Sequence, residues 1–379
     1  MKHIASLLFA ILHVVAITAQ TSSRSFAFDG RTRTYIEYAP ASIAPTDTVP
    51  LLISLHGLGD NMTNFSNVGF HAIADTAEFI VVTPQAIVDP LLSAAAWNSG
   101  AGALGIFPNS DVDDIGFVSA LIDTTAARFS IDTNRIYVTG FSMGGFMSNR
   151  LACELGDRVA AIASVAGTLG SGVSCPAPPP IPVFHLHGTA DATVGFSSNG
   201  FGMNALEVVD HWVEKNDCDT AALIDTMPGA GGTYTTVRYR YENGVAGSEV
   251  QFFEVLGAGH SAMFNLEDYS TTAEIWRFFR PKTNEQAESP VDTTSIARAA
   301  RDLDLVVAPN PAMDHIAVSS PAALDGQVVL YDALGRRLLR RDVQGTMVRI
   351  DLPPSAMGTV YTLVVTTADG TATRRIVRR

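Results

Sequence analysis

From residue 32 to residue 280, short apolar runs alternate with amphipathic stretches. Short apolar runs bounded by turn residues read as strands buried on both faces. Residues 50–55 (PLLISL), 79–83 (FIVVT), 136–139 (IYVT), 159–165 (VAAIASV), 183–186 and 252–256 fit that pattern. Residues 113–129 read as a helix, with Ile115, Val118, Leu121 and Ile122 at helical spacing and carboxylates in the first turn. Residues 144–155, 203–215 and 271–279 read as further helices. Strands alternating with helices predict an α/β fold with a mostly parallel central sheet covered on both faces. In such sheets the ligand site lies beyond the carboxyl ends of the strands. Each loop just after a strand is therefore a place to look for chemistry.

The pattern changes at both ends. Met1-Lys2-His3 is followed by a mostly apolar run to Thr18 and then Ala19-Gln20. A charged start, an apolar run too short for a comfortable membrane span and a small residue before the cut predict a cleaved signal peptide over residues 1–19. Residues 281–303 are polar and mixed, the composition of a linker. Residues 304–379 carry period-2 apolar runs between Gly and Pro turns, which predicts a small β-sandwich. The main body is expected over residues 20–280.

Charge supports that division. The chain carries 25 Lys and Arg against 38 Asp and Glu, a net −13. Residues 291–379 hold 11 Arg, no Lys and 9 Asp, so the acidity lies in the body. A nucleic-acid partner is not expected, because phosphate neutralisation needs clustered Lys and Arg. Export implies an oxidising compartment, where Cys153, Cys175 and Cys218 allow one disulfide and one remaining thiol, with the pairing open. No Cys or His spacing fits zinc, so neither metal nor cofactor is expected.

Gly140-Phe141-Ser142-Met143-Gly144 falls between a predicted strand and a predicted helix, with Gly145 next. This is G-x-S-x-G in the context the motif requires, and it makes Ser142 the candidate nucleophile. A hydroxyl needs a neighbouring imidazole to take its proton. The order serine, acid, histidine directs the search downstream. His260 stands in a Gly-rich loop directly after the strand ending at residue 256; His185 and His187 lie within or at the end of a strand, and His211 within a helix. Asp191 follows the strand at 183–186 and is placed to orient the imidazole. The amides of Leu58, in the loop His56-Gly57-Leu58-Gly59, and Met143 are the candidate oxyanion donors.

Residues 25–280 resemble the secreted α/β-hydrolase esterases grouped as polyhydroxybutyrate depolymerase-like and feruloyl esterase-like proteins. The matching stretches are His56 through Asn61, Trp97-Asn98, Val112 through Phe117, Gly140 through Gly145, His187-Gly188-Thr189-Ala190-Asp191 and Gly259-His260. The resemblance implies a Ser142, Asp191, His260 triad, the two oxyanion amides and no metal. It implies a Trp97 loop lining the mouth of the site, with Trp97 either a candidate substrate contact or an anchor in the core. The Ala- and Gly-rich residues around Trp97 predict an open, mobile cleft. Residues 304–379 look like the C-terminal sorting domain of the type IX secretion system, which implies that machinery as a partner and a cell-surface or extracellular location. The expected substrates are feruloyl or acetyl esters of plant polysaccharide, then short-chain polyesters, with a peptidase third. A non-catalytic surface-binding protein on a hydrolase fold is the reading from another class.

Overall fold

The computed structural model describes residues 19–284 apart from 176–178, 228–232, 262–263 and 267–268, and residues 305–378 apart from 311, 322, 332–336, 353–359 and 368–369. Residues 1–18 of the expected signal peptide and most of the expected linker lie outside the described residues. The chain divides into two compact units, with the division between Ser289 and Pro290.

The first unit is built on one ten-stranded sheet. In chain order its strands are β1 (Gln20–Phe28), β2 (Arg31–Ala39), β3 (Val49–Leu55), β4 (Ile80–Pro84), then, after the two-residue pair β5 (Val88–Asp89) and β6 (Ala94–Ala95), β7 (Ile131–Phe141), β8 (Ala161–Val165), β9 (Val183–Gly188), β10 (Leu223–Thr226), β11 (Thr235–Tyr241) and β12 (Val250–Leu256). The spatial order is β1-β2-β4-β3-β7-β8-β9-β12-β11-β10. The six strands from β4 to β12 pair in parallel. Antiparallel pairs close both edges.

Alternation across β3 divides the core. Leu51, Ile53 and Leu55 pack in one cluster with Phe117, Val118 and Leu121 of α3 (Asp114–Ala126), Met147 and Leu151 of α4 (Met143–Glu154), and Val208 and Trp212 of α5 (Ala205–Lys215). Leu52 belongs to the other cluster, with Tyr137, Phe184, Phe253 and Ile275 and Phe279 of α6 (Thr271–Phe279). Every residue of β3 is buried, the physical reason its sequence is apolar but for the small Ser54. The helices start where side chains can satisfy their first amides. Asp113 Oδ1 accepts from the Gly116 amide at 2.8 Å at the start of α3. Asn204 and Glu207 form a capping box at the start of α5.

Cys153, in the last turn of α4, is bonded to Cys175 ahead of β9, closing a separation of 22 residues. Cys218 lies buried outside that bond, its Sγ 3.9 Å from the Ser248 carbonyl, and burial pushes the thiol up to about 12. Replacing Cys153 and Cys175 together with alanine is expected to cost about 3 kcal/mol of stability, from the entropy the unfolded loop regains. The bond sits a helix length from residue 142, about 17 Å at 1.5 Å per residue. Turnover at 25 °C should therefore stay near wild type while the denaturation midpoint falls, as urea titration and an ester assay on the same samples would record.

The second unit is two antiparallel sheets around one core. One sheet pairs Val306–Ala308, His315–Ser319 and Met347–Asp351; the other pairs Arg337–Val343, Gly326–Tyr331, Val360–Thr367 and Gly370–Val377. Ile316, Val318 and Ile350 of the first sheet share a cluster with Val328, Leu330, Leu363 and Val365 of the second.

Candidate active site

The strand ends assemble the site. Ser142 directly follows β7 and caps α4 with φ 53° and ψ −119°, a backbone region that non-glycine residues avoid at about 1–3 kcal/mol. Its neighbours must be small. A Cβ on Gly140 would overlap the Gly144 backbone, and one on Gly144 would overlap the carbonyls of Leu55 and His56. That crowding is the steric content of G-x-S-x-G. The turn holds Ser142 at the carboxyl edge of the sheet, where loops from three other strands reach it.

His260, in the loop after β12, places Nε2 2.9 Å from Ser142 Oγ and Nδ1 2.7 Å from Asp191 Oδ2. Asp191 follows β9, and its side chain is fully buried. Its Oδ1 accepts from the amides of Thr193 and Val194, both at 2.9 Å. Burial works to raise the Asp191 pKa, but hydrogen bonds from His187, His260 and the Val194 amide outweigh it. The carboxyl is held well below the usual carboxylate range.

His187, in the same motif as Asp191, belongs to this arrangement in a way the sequence did not reveal. It donates from Nε2 to the Val194 carbonyl at 2.8 Å, and the same atom lies 3.4 Å from Asp191 Oδ2. His187 Nδ1 lies 3.3 Å from His185 Nε2, and complete burial pushes the His185 pKa well down, so that ring is neutral. His187 thus ties the two ends of the Asp191–Val194 turn together, and His185 stands behind it. A buried imidazole at the end of a strand, four residues before the acid, is the sequence signal that would have found His187.

The loop after β3 runs beside the nucleophile. A Cβ on Gly57 would sit 3.4 Å from Ser142 Cβ. Leu58 and Met143 line the same cavity as Ser142. Among the described residues neither of their amides donates to an acceptor, the state expected of donors kept for a ligand. His56 pins the loop: its Nδ1 donates to the Gly57 carbonyl at 2.7 Å, and its Nε2 accepts from the Ala86 amide at 3.1 Å. Burial pushes the His56 pKa down and keeps the ring neutral.

Trp97 does not contact substrate space. Its side chain is fully buried, and its Nε1 donates to the His56 carbonyl at 2.8 Å. Of the two roles expected of Trp97, its burial matches the core anchor: an indole with no accessible surface steadies the loop carrying Leu58. Asn98 donates its amide to the buried Asp114 carboxylate at 2.8 Å, and Arg33, buried as well, bonds the other oxygen at 2.7 Å. Arg150 of α4 bonds both the carbonyl and the side-chain oxygen of Asn98. Asn98, Asp114, Arg33 and Arg150 thus form one largely buried polar network.

A cavity of about 280 Å³ opens beside Ser142, lined by Leu58, Leu92, Ile106, Phe146, Val194 and Phe201, with small residues between them. Among the described residues no charged one lines it. Among the described residues no group of three or more His, Cys, Asp or Glu is arranged to hold a metal ion.

Residues 42–221 match the phospholipase/carboxylesterase family model, and residues 306–379 match the secretion system C-terminal sorting domain. The chain is 33% identical over 245 residues to the bifunctional acetylxylan esterase/xylanase of Neocallimastix patriciarum, covering 64% of this chain and 32% of that protein. It is 30% identical over 238 residues to feruloyl esterase B of Piromyces equi, covering 59% of this chain and 41% of that one. It is 24% identical over 294 residues to poly(3-hydroxyalkanoate) depolymerase C of Paucimonas lemoignei, covering 67% of this chain and 66% of that one. The chain thus spans a third to two thirds of these relatives' lengths.

Proposed function

From a chain that belongs to the α/β-hydrolase esterases, with its match over residues 42–221, and that ends in a type IX secretion sorting domain, we propose a serine carboxylic-ester hydrolase delivered to the cell surface or beyond. The observation that carries the proposal is the hydrogen-bonded line from Ser142 through His260 to Asp191, beside an uncharged cavity and two uncommitted amides. His260 Nε2 takes the Ser142 proton as Oγ attacks the ester carbonyl carbon. The negative charge that develops rests on the amides of Leu58 and Met143. His260 returns the proton to the leaving alkoxide oxygen, and an acyl-enzyme remains. Water then gives its proton to the same nitrogen as its oxygen attacks the acyl carbon, and the Oγ–acyl bond breaks to release the acid while His260 returns that proton to Ser142 Oγ. Asp191 stays ionised throughout and holds the imidazole with Nε2 free to accept.

The uncharged cavity suits a neutral acyl group. Relatives named for acetylxylan and feruloyl esters support acyl esters of plant polysaccharide as the first substrate reading. The aliphatic lining and the depolymerase relative support hydroxyalkanoate polyesters as a second reading. Comparing kcat/KM on methyl ferulate, a hydroxybutyrate oligomer and a peptide anilide orders these classes. Ester turnover without anilide cleavage is expected. Anilide cleavage faster than either ester would make the protein a peptidase. Failure of a fluorophosphonate to label Ser142 would favour the non-catalytic reading.

A further inference from the structure

The mouth of the cavity is made by two turns that hold aliphatic side chains in water. Residues 85–110 contain one charged residue, Asp89, in a chain that is 17% charged. Asp89 is buried. Its Oδ1 accepts from the amides of Leu91 and Leu92 at 3.0 and 2.8 Å, and its Oδ2 from the amide of Asn109 at 2.8 Å. The Asn109 side chain in turn donates to the carbonyls of Ile87 and Ala96. The one carboxylate of the segment is thus consumed in fixing the turn between β5 and β6. The side chains this turn displays are Val88, 62% exposed, and Leu91, 70% exposed.

The second turn is tighter. Ala103 and Ile106 bridge, and the Ile106 amide donates to the Ala103 carbonyl at 3.0 Å. Between them Leu104 and Gly105 have φ of +54° and +78°, the two-residue turn in which asparagine and glycine are the usual occupants. Leucine is poorly suited to that backbone, and this one is 100% exposed. Nothing in the fold of this unit is stabilised by an apolar side chain there. Asparagine would relieve both the backbone strain and the exposure.

Both turns continue the cavity outward. Leu92, next to Leu91, and Ala103 and Ile106, on either side of Leu104, line the space beside Ser142. Leu58 and Phe201 complete a rim that is apolar and also solvent-exposed. A small ester fits the cavity without either side chain, but an extended surface presented to Ser142 also meets the rim beside which Leu91 and Leu104 stand. Fixed turns that present apolar surface around a site mark an interaction face, and their rigidity removes the ordering cost of contact.

We propose that the Leu91 and Leu104 turns form an adsorption platform that seats the enzyme on a water-insoluble, uncharged aliphatic ester surface, so that chains at that surface enter the cavity. This rests on the ester-hydrolase reading above. The occupant follows from continuity with the cavity and from the chemistry of the rim, which offers no charge to a polar polymer.

The test uses the full-length chain carrying Leu91→Asn and Leu104→Asn together. Neither side chain lines the cavity, and asparagine tolerates the Leu104 backbone. Three assays are compared with wild type: p-nitrophenyl butyrate in solution, acid release from polyhydroxybutyrate particles, and binding to those particles in a Ser142→Ala background. Soluble turnover should hold within about twofold, while particle hydrolysis and particle binding each fall roughly tenfold or more, as the loss of two buried leucines implies. Unchanged particle hydrolysis, or equal loss on soluble and solid substrate, would overturn the platform. So would a loss confined to insoluble feruloylated arabinoxylan, or a wild-type dimer that the variant breaks with no effect on particles. If wild type turns over no soluble ester at all, it is the ester-hydrolase reading that fails.

Discussion

Ser142→Ala is expected to lower kcat on a soluble p-nitrophenyl ester by a factor on the order of 10⁶, with KM little changed. The size follows from what the hydroxyl does in the proposed reaction. Without Oγ there is no covalent intermediate, and His260 has no bound proton to take from its 2.9 Å partner. What survives is the stabilisation offered by the Leu58 and Met143 amides and the cavity. That supports water attack at a residual rate about 10³–10⁴ above the uncatalysed reaction. The fold should persist, because alanine keeps the Cβ the elbow already accommodates and the glycines that allow the turn remain. Circular dichroism and steady-state kinetics on one preparation separate the two effects. A variant that retains most of its turnover would exclude Ser142 as the nucleophile.

Asp191→Asn should cost on the order of 10⁴ in kcat. Its Oδ1 holds two amides and its Oδ2 faces His260 Nδ1 at 2.7 Å. If the amide keeps its oxygen on the Thr193 and Val194 amides, its NH₂ turns towards His260 Nδ1. The imidazole then carries its proton on Nε2, facing Ser142, and is unable to take another. The lost charge also removes stabilisation of the imidazolium. The pH consequence follows from the sign of the shift. The folded-state pKa of Asp191 is depressed below its ordinary 3.8, so its contribution to stability is complete above that value. It is lost as pH falls below it. The Asn variant lacks that contribution, so its stability should depend less on pH in the acid range than that of wild type. Urea titrations of both proteins across that range measure the difference.

Much of this arrangement is legible in the amino-acid order because its constraints are local. A strand buried on both faces is apolar at nearly every position, and β3, with Ser54 its one polar side chain, shows itself without reference to the rest of the fold. The elbow announces itself because three glycines are the steric condition for the turn. His260 and Asp191 could be selected because sites of this class lie just past strand ends. The edge hairpin of β1 and β2 is less visible. β1 alternates exposed and half-buried positions with serine, threonine and arginine among them, and leaves no apolar run to read. The antiparallel pair β10 and β11 is hidden for the same reason.

Trp97 marks another limit. An aromatic residue in a glycine-rich loop near the site has the same local pattern whether its ring faces substrate or the core. Its hydrogen bond to His56, 41 positions away, decides between them. The choice of Cys175 rather than Cys218 as partner for Cys153 is likewise a matter of three-dimensional distance. The role of Asp89 is equally tertiary, because its value lies in the amides it collects.

The central claim is that the Ser142 oxygen carries the acyl group of the substrate. Acid-quenching the enzyme milliseconds after mixing with p-nitrophenyl butyrate, then digesting it and weighing the peptides, tests this directly. A butyryl group on the peptide containing Ser142, absent in Ser142→Ala, is the expected result. Full turnover with the acyl group on another residue, or undiminished turnover in Ser142→Ala, would contradict it.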